Sequence, residues 1–298
     1  MNLRELWNVV RQAGGEWVEH KAPRLAAALA YYTILSLAPL LVIAVAVAGF
    51  AFGDEAAREQ IVGQFRDMVG PAGGDAIKTL LEHADRPNAG IVATVIGVVT
   101  LLFGASGVFG ELQDALNTIW EVKPKPGRGI RGIVVDRFLS FAMVLCVGFL
   151  LLVSLVLSTV LSAMGGYFER AFPGLGGLMQ FANVALSFVI VTALFAMMFK
   201  ILPDVELRWR DVWVGAAVTA VLFTLGKYLI GLYLGRAGVA SPFGAAGSIV
   251  VLVVWIYYSG LILFFGAEVT QVLTRREGRG AATEIAEPTT DRAAAATP

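Results

Sequence analysis

Apolar and polar positions in this chain come in blocks rather than in alternation. Six apolar blocks stand out: Leu25–Phe52, Ile91–Phe109 (continuing to Trp120), Phe138–Met164, Met179–Leu202, Val212–Leu234 and Gly247–Val272. Each can cross a bilayer, which takes about 20 helical residues. Core helices of a soluble domain would each show a charged face, and these blocks mostly do not. The pattern predicts an all-α, polytopic membrane protein. Its transmembrane domain covers residues 25–274, with six transmembrane helices at about 25–52, 91–120, 138–164, 179–202, 212–234 and 247–272.

The second block changes character along its length. Its end reads FGASGVFGELQDALNTIW, Phe103 to Trp120. At about 100° per residue, Gly104, Ser106, Gly107, Gly110, Glu111, Gln113, Asp114, Asn117 and Thr118 fall on one side. Ala105, Val108, Phe109, Leu112, Ala115, Leu116 and Ile119 fall on the other. A polar face inside lipid has to meet protein or water, so the other spans are expected to pack around this helix.

The segments between the blocks have patterns of their own. Residues 1–24 form an amphipathic N-terminal segment, with Leu3, Leu6, Trp7, Val10, Ala13 and Trp17 at helical spacing. Such a helix can lie on the membrane surface or pack against the ends of other helices, and the pattern does not choose. Residues 54–88 make the longest loop. Two short amphipathic helices are expected there, broken at Gly70, Pro71, Gly73 and Gly74. The loop can cap an opening or lie on the headgroups. From residue 275 to 298 the chain is rich in Ala, Thr and charge without periodicity, which predicts a disordered tail.

Several spans carry residues that a plain anchor does not need. Tyr32, Ser36 and Pro39 share one face of the first span, and Pro39 removes a backbone donor near mid-membrane. Such a kink suits a transport pathway or is simply structural. Ser154, Ser158 and Ser162 form a seam suited to close helix packing in the third span. Lys227 is a base well inside the fifth span, roughly 21 Å from its start. It snorkels outward, makes a structural hydrogen bond or contacts a solute. Glu268 lies near the end of the last span, at a depth similar to Glu111 and Asp114, so Glu111, Gln113, Asp114, Asn117 and Glu268 are expected to form one polar cluster. Such groups can relay protons, bind a cation or pair with cytoplasmic bases, lining a pathway, or they can form a structural network that ties the helix ends together. Asp211 can cap the fifth span, Trp209 and Trp213 suit the interface, and Arg208 and Arg210 are candidate lipid-headgroup contacts or plain topology determinants.

Charge then orients the chain. Six spans put both ends on one side. With that side cytoplasmic, 16 of the 23 Lys and Arg residues fall inside and 6 outside, with Lys227 in the membrane. The positive-inside rule therefore predicts cytoplasmic N and C termini. The composition, 57% apolar with zero net charge, fits a membrane protein and shows no bias toward nucleic acid. The first apolar block begins too late and is too long for a cleavable signal peptide. Cys146, the one cysteine, has no partner for an intramolecular disulfide.

Enzyme chemistry finds little support. The two histidines, His20 and His83, are predicted on opposite faces of the membrane, so no histidine-rich zinc site is expected. No GxSxG, Walker A or GxGxxG pattern occurs. The chain is expected not to be an enzyme and to need no cofactor or metal.

The segments AYYTILSLAP, FGASGVFGELQDALNTIW, LPDVELRWRDVWVGA and FGAAGSIVVLVVWIYYSGLILFFGAEVTQ resemble, in order, the YihY/virulence factor BrkB family of bacterial inner-membrane proteins. The likeness covers about residues 20–275. It implies a multi-pass inner-membrane protein with six helices. Members are described as transporters or envelope factors, some suspected in lipid export. The expectation is a transporter or exporter of a lipid or small amphipathic solute, surrounded by membrane lipids and binding no nucleic acid. The alternative is a non-transporting envelope assembly or interaction protein. A membrane-bound ribonuclease is a further alternative, because some members have carried a ribonuclease BN label, but this chain lacks the clustered metal ligands it would need.

Overall fold

Two glycines set the first corners of the fold. Gly53 and Gly70 have φ of 88° and 90°, a region open to glycine at little cost. Gly53 ends one helix by donating to the carbonyl of Gly49, and Gly70 ends the next by donating to that of Arg66. The computed structural model describes residues 3–84, 107–124, 176–205, 207–237, 247–276 and 286–288. The described elements are, in order, α1 (Leu3–Glu19), α2 (Ala22–Phe52), α3 (Asp54–Val69) and α4 (Pro71–Ala84). Then come α5 (residues 107–119), β1 (Val122–Pro124), α6 (Gly176–Ile201), α7 (Trp209–Ala237), α8 (Gly247–Arg276) and β2 (Ala286–Pro288).

Three helices hold stretches long and apolar enough to cross a membrane: Val184–Ile201 in α6, Trp209–Leu229 in α7 and Gly247–Arg276, all of α8. They match the fourth, fifth and sixth apolar blocks. The 31 residues of α2 cover the first block, and α2 runs helically through Pro39. The third block with its serine seam and Cys146, and residues 91–106 of the second, lie outside the described residues.

α8 packs against α1, α2, α4 and α7. It approaches α7 closely. A Cβ at Gly215 would collide with the Thr270 side chain, and one at Gly266 with that of Thr219. Glycine on each helix thus lets the facing threonine nest against bare backbone, the close approach that membrane helix pairs favour. The hydroxyls of Thr219 and Thr270 donate to carbonyls one turn back, of Gly215 and Gly266. Their methyl groups are left to pack. On another face of α8, a Cβ at Gly260 would stand 3.2 Å from Ala26 Cβ of α2.

The remaining helices close the two ends. Ile77 and Leu81 of α4 are buried with Leu37, Leu41 and Val45 of α2 and Val251, Leu252 and Ile256 of α8. The α3–α4 hairpin therefore sits on the bundle itself. At the other end, Val9 and Ala13 of α1 are buried with Val269 and Val272 of α8, and Trp17 Nε1 donates to the carbonyl of Leu261 at 3.4 Å. One face of α1 is thus packed on protein, while Trp7 and Val18 are exposed. This packing accompanies an α8 that continues past the Val272 boundary expected from the apolar block to Arg276. Within the stretch read as a disordered tail, Ala286–Pro288 pairs antiparallel with Val122–Pro124.

Candidate functional site

The predicted split of the second block is visible in α5. Leu112, Ala115, Leu116 and Ile119 are buried in one core with Ala22 and Ala26 of α2, Phe199 of α6, and Phe264 and Ala267 of α8. Fully burying a Leu or Ile contributes about 1.5–3 kcal/mol, so this face anchors the helix. On the other side Asp114 and Thr118 are exposed, Glu111 and Gln113 are half-buried, and none of the described residues lies within 4 Å of a Cβ placed on Gly110.

The polar residues expected to gather as one cluster divide into two. In the first, Asn117 Nδ2 donates to Asp204 Oδ2 at 3.0 Å, and the backbone N–H of Asp204 donates back to Asn117 Oδ1 at 2.8 Å. Gln113 Nε2 reaches the same Oδ2 at 3.4 Å. Asn117 is buried. This clamp joins α5 to the turn after α6, which Pro203 creates by ending that helix.

The second cluster forms around Glu268, which is fully buried. His20 Nδ1 donates to Glu268 Oε1 at 2.7 Å, and His20 Nε2 faces Glu121 Oε1 at 3.5 Å. Arg275 reaches Glu121 at 3.4 Å and Glu16 at 3.1 Å. Gln12 Nε2 donates to Glu16 Oε1 at 3.1 Å, and Arg276 Nη2 donates to Gln12 Oε1 at 2.8 Å. With a carboxylate oxygen facing each ring nitrogen, the geometry suits an imidazolium. The hydrogen bond to Glu268 raises the His20 pKa above its ordinary 6.5; burial opposes this, and the charges of Glu268, Glu121 and Glu16 add to it. Among the described residues, Glu268 Oε2, Glu16 Oε2, Gln271 Oε1 and Trp120 Nε1 are buried without a hydrogen-bond partner. No three His, Cys, Asp or Glu side chains among the described residues are grouped to hold a metal ion.

The other candidates are spread out. Tyr32 of α2 is partly exposed and lies beside α5, its Cδ1 3.4 Å from where a Gly107 Cβ would be. Ser36 is buried; the Pro39 side chain lies outside the described residues. Lys227 is half-buried on α7. Arg208 and Arg210 are exposed at the start of α7, where Asp211 Oδ2 accepts the Arg208 backbone N–H at 3.0 Å. Asp211 thus acts from the third helical position, in the manner of a capping box. Trp209 and Trp213 are exposed beside it.

His20, Glu16, Glu121, Asp204 and Arg275 escaped the sequence reading. His20 and Glu268 are 248 positions apart, and no local spacing links them. Asp204 follows a helix-stopping proline and reads as turn chemistry.

A family model for virulence factor BrkB matches residues 13–291. The chain belongs to the virulence factor BrkB family. Relatives of this BrkB-family chain carry the name UPF0761 membrane protein. One from Pseudomonas aeruginosa is 31% identical over 257 residues, covering 84% of this chain and 59% of its own. One from Ralstonia nicotianae is 29% identical over 266 residues, covering 89% and 57%. One from Pseudoalteromonas translucida is 28% identical over 280 residues, covering 91% and 90%. The chain thus spans somewhat over half the length of several curated relatives. No solved structure matches it.

Proposed function

We propose that this BrkB-family chain is a six-span protein of the bacterial inner membrane, with both termini in the cytoplasm, that moves a lipid or small amphipathic solute. The observation that carries this reading is the two-faced α5. One face is locked into the core, while Asp114 is exposed and Glu111 and Gln113 are half-buried on the other. In a membrane, carboxylates are costly unless they meet water, protein partners or a passing solute. Glu111 and Asp114 are the lining residues in this reading. Glu268, expected beside them, is fully buried against His20 and does not line an open vestibule in this arrangement.

The test is flux through purified protein in vesicles, followed with a fluorescent short-chain phospholipid. Glu111→Ala and Asp114→Ala are expected to slow it about tenfold or more while both variants remain folded. Flux unchanged in both variants removes this lining.

A second reading, a non-transporting envelope assembly or interaction protein, is favoured by the way Asn117 and Gln113 are tied to Asp204. Polar groups engaged in helix ties need no solute. Wild-type vesicles that pass neither lipid nor small amphipathic solutes would favour it. In both readings the chain is not an enzyme and binds no nucleic acid, and an RNA cleavage assay on purified protein is expected to be negative.

A further inference from the structure

The cluster around Glu268 has an imbalance that the proposed solute path does not use. Glu16 from α1, Glu121 from the end of α5, and Glu268 itself present three carboxyl groups. Among the described residues, the guanidinium of Arg275 and the imidazole of His20 face them. Among the described residues, Glu268 Oε2 and Glu16 Oε2 of this cluster are buried without a hydrogen-bond partner, as is Gln271 Oε1 one turn along α8 from Glu268. A buried acceptor without a donor costs about 1–3 kcal/mol, so the described part of the site is short of donors.

The backbone is under strain at the same place. Among the described residues, the non-glycine residues with positive φ are Lys21, at 56°, and Glu121, at 54°. One follows His20 directly; the other is itself a partner of His20. A side chain held in this left-handed region costs roughly 1–2 kcal/mol, and such positions persist only where their surroundings hold them. The 2.7 Å contact between His20 and Glu268 ties the α1–α2 corner to α8.

We propose that His20 and Glu268 form a proton-binding site that latches the α1–α2 corner onto α8, closed when the pair holds the imidazole proton and released when it is lost. The proton exchanges with water along the exposed side of the cluster. His20 is 12% exposed, and its second neighbour, Glu121, is 30% exposed. On closing, a proton from water adds to a ring nitrogen and the imidazolium faces carboxylates on both sides. On opening, the proton returns to water, and the neutral ring can offer a donor to only one of the two carboxylates. The site stands on its own geometry and holds whether or not the chain moves a solute.

The test uses hydrogen exchange on the full chain in lipid nanodiscs, read as protection factors so that the pH dependence of intrinsic exchange cancels. Amides of residues 16–26 are compared with those of the α7–α8 crossing. In the wild type, protection of the corner is expected to fall at least about tenfold as pH rises through the His20 titration, with the crossing unchanged. Glu268→Gln and His20→Gln are expected to abolish that step. Nitrogen-15 resonances of the His20 ring give a reading that needs no variant: the titration should coincide with the loss of protection. No step in the wild type, a step equally large in Glu268→Gln, or a ring titration at a different pH would each overturn the proposal.

Discussion

Asn117 and Asp204 hold each other reciprocally: the Asn117 amide donates to the Asp204 carboxylate, and the Asp204 backbone N–H donates to the Asn117 carbonyl oxygen. The two residues are 87 positions apart. Asn117→Ala removes both bonds and leaves the Asp204 N–H without that acceptor. Losing such a buried partner costs about 1–3 kcal/mol. Thermal unfolding in detergent should show the loss, and a double-mutant cycle with Asp204→Ala should give a coupling of about 0.5–3 kcal/mol. Asp204→Ala keeps the backbone N–H, so strict additivity of the two substitutions would show that the side-chain bond from Asn117 Nδ2 to Asp204 Oδ2 contributes nothing.

Glycines on α5 and α8 should respond in opposite directions. Gly266→Ala drives a methyl into Thr219 at the α7–α8 crossing, and overpacking of this kind costs about 1–3 kcal/mol. Gly110→Ala places its methyl where none of the described residues lies within 4 Å. Exchanging glycine for alanine inside a helix is worth up to about 1 kcal/mol. The melting temperature is therefore expected to fall for the first and to rise or hold for the second.

His20 makes stability depend on pH with a definite sign. Its folded pKa is raised above the 6.5 of the free side chain by the hydrogen bond to Glu268. The folded state therefore binds the proton more tightly than the unfolded one. Its stabilisation is fully present below about pH 6.5 and is lost as pH rises through the folded value. A series of thermal melts from pH 5.5 upward should show this loss, and His20→Gln should flatten the corresponding part of the curve.

The two ends of the bundle should be reachable from opposite sides of the membrane. In a Cys146→Ser background, Asp75→Cys in the α3–α4 hairpin is expected to react with a membrane-impermeant thiol reagent added to whole cells. Arg11→Cys on α1 is expected to react only after the cells are opened. Both positions are exposed, so labelling depends on side and not on burial. Labelling of both from the same side would overturn the predicted topology.

Much of this protein is determined by the order of its residues alone. The apolar blocks locate α2, α6, α7 and α8 to within a few residues, because the length needed to cross lipid and the lack of charge are local properties. The two faces of α5 follow from a period of about 3.6 residues, and the break at Gly70 from its preference for positive φ. Which polar groups meet was decided by the tertiary structure. Glu268 and Glu111 looked like neighbours when depth was counted along separate helices. Depth does not give the rotation of one helix about its axis relative to another. Packing of α1 on α8 and of α5 against α2 set those rotations, turning Glu268 to His20 and Asn117 to Asp204.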